Sequence, residues 1–315
     1  MPAIVTASSL TRRFGRLTAV NALSFSVERG EVFGIVGPDG AGKTTTLRML
    51  TGILEPSTGT ASVAGFDVGR ESELVKERIG YMSQRFGLYS DLTVMENITF
   101  YADLYSVPVK GRSEAVGRLL EFSNLAPFKD RLAGNLSGGM KQKLGLACTL
   151  IHKPLVLFLD EPTNGVDPVS RRDFWRILYQ LLREQVTIIV TTSYLDEAER
   201  CSRVGLLHNG ALLACDTPAQ AKERMRGAVL EVRTPDPRRA AGLLRGHVEA
   251  QMIDLFGDRV HVATTEPGQA AVQARAVLEA GGLEVQSIRR IEPTLEDVFV
   301  SMLSRAEEEG DGRRG

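Results

Sequence analysis

Val32-Phe33-Gly34-Ile35-Val36-Gly37-Pro38-Asp39-Gly40-Ala41-Gly42-Lys43-Thr44 is the stretch that decides the fold. Glu31–Val36 is almost continuously apolar, as expected of a strand buried on both faces in a parallel sheet. It runs straight into Gly37, four residues, then Gly42-Lys43-Thr44, which is the full phosphate-loop pattern. Thr45–Leu54 follows with Leu47, Leu50 and Leu54 at helical spacing. A strand before the loop and a helix after it are the context the chemistry needs. Glycines let backbone N–H groups face inward around phosphates, and the helix N-terminus adds partial positive charge. Lys43 is placed to reach the outer phosphates and the Thr44 hydroxyl to ligate magnesium. Asp39 adds an anion where phosphate would sit, but aspartate tolerates a left-handed backbone.

A second apolar strand, Leu155–Leu159, ends in Asp160-Glu161. At the C-terminal edge of a parallel sheet these acids would lie beside the loop, where α/β ligands bind. Asp160 suits a magnesium site and Glu161 suits a general base for an attacking water. Amphipathic Ser170–Arg183 and apolar Val186–Thr191 complete a β-α-β unit, expected to cross over right-handed. Before the loop, Ile4–Ala7, Leu17–Val20 and Leu23–Val27 read as short strands. Between the two halves, about 86–150 is a helical section containing Val94–Leu104 and Ser113–Leu125.

Composition changes after Leu213. Asp216-Thr217-Pro218 reads as the cap of a linker helix over 216–227. Strands at Val229–Arg233, Arg259–Ala263 and Leu283–Ile288, with helices at Gln269–Ala280 and Thr294–Leu303, predict a small α+β domain over 228–305. Residues 306–315 read as a disordered tail.

With 38 basic and 39 acidic residues among 315, bulk charge gives no reason to expect nucleic acid. No apolar run approaches the roughly 18 residues of a membrane helix, and the start of the chain does not read as a signal peptide. Cys148, Cys201 and Cys215 form no CxxC pair, so they read as small apolar side chains in a reducing compartment.

Further motifs carry a resemblance. Leu136-Ser137-Gly138-Gly139-Met140-Lys141-Gln142 resembles the LSGGQ signature of ABC-type ATPases, with Met140 in place of glutamine. Gln84 in Tyr81-Met82-Ser83-Gln84 resembles their Q-loop, Asn164-Gly165-Val166-Asp167-Pro168 their D-loop, and Phe14 the aromatic that stacks on adenine. Order and spacing agree from Ile4 to about Ala214, or 1–215 as a domain. Tyr194-Leu195-Asp196-Glu197-Ala198-Glu199 and Thr294-Leu295-Glu296-Asp297-Val298-Phe299 resemble segments of the bacterial drug and polysaccharide exporter branch.

The resemblance implies an α/β P-loop NTPase of ABC type, with an antiparallel β subdomain, a helical subdomain and a small α+β appendage. It implies ATP and magnesium as cofactors. Nucleotide contacts would come from Phe14, Gly37, Pro38, Asp39, Gly40, Ala41, Gly42, Lys43, Thr44, Thr45, Ser137, Gly138, Gly139 and Asp167. Magnesium would lie near Thr44, Gln84 and Asp160, and catalysis would involve Lys43, Gln84, Glu161 and the position of Ser193. It implies a head-to-tail dimer with a second copy or a paralogous subunit. It also implies a multispanning membrane permease as partner, docked near Arg85–Leu104, and a place on the inner face of the cytoplasmic membrane.

One position departs from the family. A switch histidine usually precedes Tyr194, and Ser193 stands there. Slower hydrolysis is therefore expected. The leading reading is the ATPase motor of an exporter. The alternatives are a nucleotide-binding regulatory subunit with little turnover, and an ABC-type ATPase outside transport. Against the last, the chain has one phosphate loop, no heptad run and no CxxC.

Overall fold

In the computed structural model, residues 3–225 and 227–311 are described, in two compact units, Met1–Cys215 and Asp216–Gly315.

The first unit opens with β1 (Ala3–Phe14) and β2 (Leu17–Glu28), an antiparallel hairpin. Its register shifts between Ala7 and Leu10, and Ser9 and Ala22 both have φ near 49°. These irregularities break the apolar alternation, so the sequence reads as several short strands where the structure has two of 12 residues. β3 (Val32–Val36), buried at every position, leads through the glycine loop into α1 (Lys43–Leu50). β4 (Thr58–Val63) and β5 (Phe66–Asp67) complete a four-stranded sheet of order β2-β1-β4-β5, and α2 (Ser72–Arg78) leads to β6 (Ile79–Met82).

Three helices follow, α3 (Val94–Leu104), α4 (Arg112–Phe122) and α5 (Gly138–Leu150). They share a core of Val94, Ile98, Val116, Leu120, Leu144 and Cys148. A reciprocal capping box between Thr93 and Glu96 starts α3. Asn97 is fully buried, and its amide nitrogen donates to the carbonyls of Tyr89, Leu92 and Thr93 while its oxygen accepts from Tyr89 N–H. One side chain thus holds the loop that runs from Gln84 to α3.

β7 (Val156–Asp160), α6 (Pro168–Arg183), β8 (Thr187–Thr192), α7 (Leu195–Ala198), β9 (Arg203–His208) and β10 (Ala211–Asp216) complete a six-stranded sheet of order β10-β9-β3-β8-β7-β6. From β9 to β6 all its pairs are parallel, so β3, β7 and β8 end at one edge of the sheet. Burial pushes the Cys148 and Cys201 thiols well above their usual range.

The second unit contains α8 (Pro218–Glu223), β11 (Ala228–Arg233), α9 (Pro237–Leu244), β12 (Met252–Phe256), β13 (Arg259–Thr264), α10 (Pro267–Ala280), β14 (Ser287–Ile291) and α11 (Leu295–Asp311). Its antiparallel sheet has the order β12-β13-β11-β14. α9 and α10 pack on Leu230, Val232, Val260 and Val262, and α11 packs through Val298 on Val229, Met252 and Ala263. The strand expected at Leu283–Ile288 starts later, because Leu283 is buried in the first of these cores instead of pairing. The expected tail is also corrected. α11 continues through 306–311, since alanine and glutamate propagate a helix already started at Leu295; 312–315 lie outside the described residues. Among the described residues no helix is long and apolar enough to cross a membrane.

Asn97→Ala should destabilise the first unit by roughly 2–3 kcal/mol, because it deletes four hydrogen bonds of a fully buried side chain and leaves the Tyr89 N–H without its acceptor. Urea unfolding checks this: the transition of the first unit moves to lower urea and that of the second stays in place.

Candidate functional site

The site lies where β3, β7 and β8 end. Two glycines make the loop possible. A Cβ on Gly37 would lie 2.2 Å from the Leu207 carbonyl oxygen, and one on Gly42, whose φ is 101°, 2.5 Å from that of Ala19. α1 begins at Lys43, two residues before the expected start, so Lys43 and Thr44 stand in its first turn.

Lys43 is 4% exposed, and its Nζ donates to the carbonyls of Gly37 (2.8 Å) and Pro38 (3.0 Å). It also pairs with Glu161 Oε1 at 3.0 Å. Asp39 is 3.8 Å from the same nitrogen but is almost fully exposed. Thr44 Oγ1 donates to Asp160 Oδ1 at 2.9 Å, and Thr191 Oγ1 donates to the same oxygen at 2.8 Å. The Tyr81 hydroxyl faces Asp160 Oδ2 at 3.5 Å; burial, and then the charge of Asp160, raise the Tyr81 pKa.

Glu161 is buried, and its backbone has φ 47°, unusual for a residue with a side chain. Its N–H donates to Thr191 Oγ1 at 2.9 Å. Its Oε2 accepts from Gln84 Nε2 (3.0 Å) and Asn164 Nδ2 (3.2 Å). A cavity of about 320 Å³ opens here, lined among others by Asp39, Lys43, Thr44, Gln84, Glu161 and Asn164, with Gly40, Gly42 and Thr45 also in its wall. Cation, hydroxyl, carboxylates and amides converge as a polyphosphate site requires.

Other residues singled out in the sequence lie outside this cavity. Phe14, at the end of β1, is 46% exposed and lies under the Arg12 guanidinium. Ser137 caps α5, accepting from Met140 N–H; Gly138 is exposed. A Cβ on the buried Gly139 would lie 2.4 Å from Ser170 Cβ, so glycine lets α5 approach α6 there. Asp167 caps α6, and its bonds from the N–H groups of Ser170 and Val169 lower its pKa. Ser193 is exposed, one residue past Thr192, whose carbonyl accepts from Gly37 N–H at 3.3 Å. Asn164 and Thr191 were not singled out as site residues. Asn164 had a signal in its place three residues after Glu161, whereas Thr191 reaches Asp160 only because β8 pairs with β7.

Such a loop, at the edge of a parallel sheet with a helical subdomain, defines a nucleotide-binding cassette. The sequence profile of the ABC transporter family matches residues 20–164. Nod factor export ATP-binding protein I of a Rhizobium species is 38% identical over 302 residues, 95% of this chain and 96% of that one. The probable multidrug ABC transporter ATP-binding protein YbhF of Escherichia coli is 44% identical over 306 residues. That alignment takes in 96% of this chain but 53% of YbhF, so the chain spans about half the length of that relative. Among solved structures, cbiO1 from Clostridium perfringens, part of the ABC transporter complex cbiONQ, superposes with a TM-score of 0.65 at 27% identity. The match covers 71% of this chain and 92% of cbiO1. The chain belongs to the family of ABC transporter ATP-binding proteins.

Asp39→Asn removes an exposed anion beside Lys43 and should tighten binding of a nucleoside triphosphate by about two- to fivefold at low salt, with the gain shrinking as salt screens it. Nucleotide titrations of both proteins at low and high salt check this.

Proposed function

We propose that this chain is an ATP-hydrolysing motor subunit that drives export through a separate multispanning permease. The observation that carries the reading is that Lys43, Thr44 and Glu161 line one cavity, with Lys43 paired to Glu161 and Thr44 bonded to Asp160. The triphosphate is the substrate. Lys43 leaves Glu161 for the β- and γ-phosphates, and the backbone N–H groups of the loop at the start of α1 take the remaining phosphate charge. The donor set fits magnesium: Thr44 Oγ1 and the Asp160 carboxylate are hard oxygen ligands, and an ion of this kind keeps phosphate and water ligands as well. When bound, it neutralises charge on the transferring phosphoryl group. Freed from Lys43, Glu161 accepts a proton at Oε from the attacking water, whose oxygen bonds to the γ-phosphorus as the bond to ADP breaks. Gln84 and Asn164 hold the carboxylate in place.

Ser137 and Gly138 are exposed at the N-terminus of α5 and outside the chain's own cavity. They suit the outer phosphate of a nucleotide bound by a second copy or a paralogous subunit. The permease would dock beside Gln84, where a cavity of about 250 Å³ is lined by Arg85, Phe86, Leu88 and Lys141. Tyr89 and Phe100, in contact at 4.6 Å between ring centroids, leave apolar surface exposed nearby, and Leu104 lies one turn on along α3. Such docking would hold the chain on the inner face of the cytoplasmic membrane. Ser193 favours a second reading, a regulatory subunit with little turnover.

Lys43→Ala should abolish tight MgATP binding, and unchanged affinity by calorimetry would remove the assignment of the loop. Glu161→Gln should keep binding and lower single-turnover hydrolysis by roughly 10²–10³-fold, the scale of one preorganised catalytic group. Ser193→His should hydrolyse faster than wild type; a rate no higher would sink the explanation of slow turnover.

A further inference from the structure

Glu197, in α7, is 1% exposed, and the carboxylate is held by three segments. Oε1 accepts from Thr163 Oγ1 at 2.6 Å and from Arg171 Nε at 3.1 Å, and Oε2 accepts from Thr192 Oγ1 at 2.9 Å. Thr163 and Thr192 are themselves buried. Arg171 also binds Asp196 and lies 4.3 Å from the Tyr194 ring centroid, while Tyr194 N–H donates to Thr192 Oγ1.

A buried carboxylate is costly unless every lone pair is used, and apolar packing of equal volume would often stabilise as well. What apolar packing lacks is direction, and here each direction leads to the catalytic edge. Thr163 lies two residues past Glu161 and one before Asn164. Thr192 lies one residue before Ser193, and its carbonyl holds Gly37 N–H. Arg171 stands in the first turn of α6, its N–H bonded to the Asp167 carbonyl.

Glu161 itself sits at φ 47°. Such a conformation persists only where its surroundings over-determine it. Thr191 Oγ1 fixes the Glu161 N–H before the turn, and Glu197 fixes Thr163 after it.

We propose that Glu197 is a positioning residue of the hydrolytic site, joining the turn that carries Glu161 and Asn164 to the turn that carries Ser193. The proposal rests on the ATPase reading above. Because Glu197 touches no residue of the cavity wall except through these turns, its loss acts on turnover and leaves binding at the phosphate loop in place.

The test compares MgATP affinity and single-turnover hydrolysis in wild type, Glu197→Gln, and the double variant Thr163→Val/Thr192→Val. The double variant keeps the Glu197–Arg171 pair and the side-chain volumes, and the urea transition of the first unit, measured for each variant, separates a folding defect from a loss of rate. Its hydrolysis should fall at least about tenfold with affinity within about threefold, and Glu197→Gln, which keeps some of the bonds, should lie between it and wild type. Rates within about twofold of wild type, or losses of rate that only follow loss of bound nucleotide, would overturn the role of Glu197. A wild-type chain that binds MgATP without hydrolysing it would overturn the ATPase reading and this proposal with it. Hydrolysis that survives Glu161→Gln would overturn that reading's base and, with it, the role given to Glu197.

Discussion

A buried ammonium held by a carboxylate is the constraint on which the site depends. Lys43 has two carbonyl acceptors and one close anion, Glu161 at 3.0 Å. Removing either charge alone would leave the other buried without its partner. The group suited to hold phosphate is therefore engaged with the group suited to act as base. In the proposed mechanism a polyphosphate that takes Lys43 would also release Glu161, so that binding and readiness for hydrolysis would be one event.

The sheet makes this pairing possible. In the parallel order β3-β8-β7, the loop after β3 and the acids ending β7 flank the end of β8. Thr191 and Thr192 at that end divide the work. Thr191 bonds to Asp160 and Glu161, while Thr192 bonds to Gly37 and Glu197. The middle strand thus carries the hydrogen bonds that hold both walls in register. The helical subdomain has its own core and meets the site through Gln84, on a loop held by Asn97.

Much of this was legible in the sequence where spacing and chemistry coincide. The glycine loop after an apolar strand located β3, α1 and Lys43. Asp160-Glu161 after another apolar strand located the acids, and the helical section and the second unit emerged from apolar periodicity. What was not legible depends on pairing between distant strands. Thr191 is one of several threonines until β8 is set beside β7, and Glu197 is one acid of a charged run until α7 turns it inward. The bulged β1–β2 hairpin hid its length, and 58–82, where β4 and β5 are short and α2 has a single buried residue, gave no clear period. In α11, charge suggested disorder where helix propensity prevailed.

The most direct measurement is a crystal structure of the chain with magnesium and a non-hydrolysable ATP analogue. The account predicts Lys43 Nζ within about 3 Å of β- and γ-phosphate oxygens, separated from Glu161, with Thr44 and Asp160 at the magnesium. An analogue bound away from the loop, or bound there with the Lys43–Glu161 pair still closed, would contradict it.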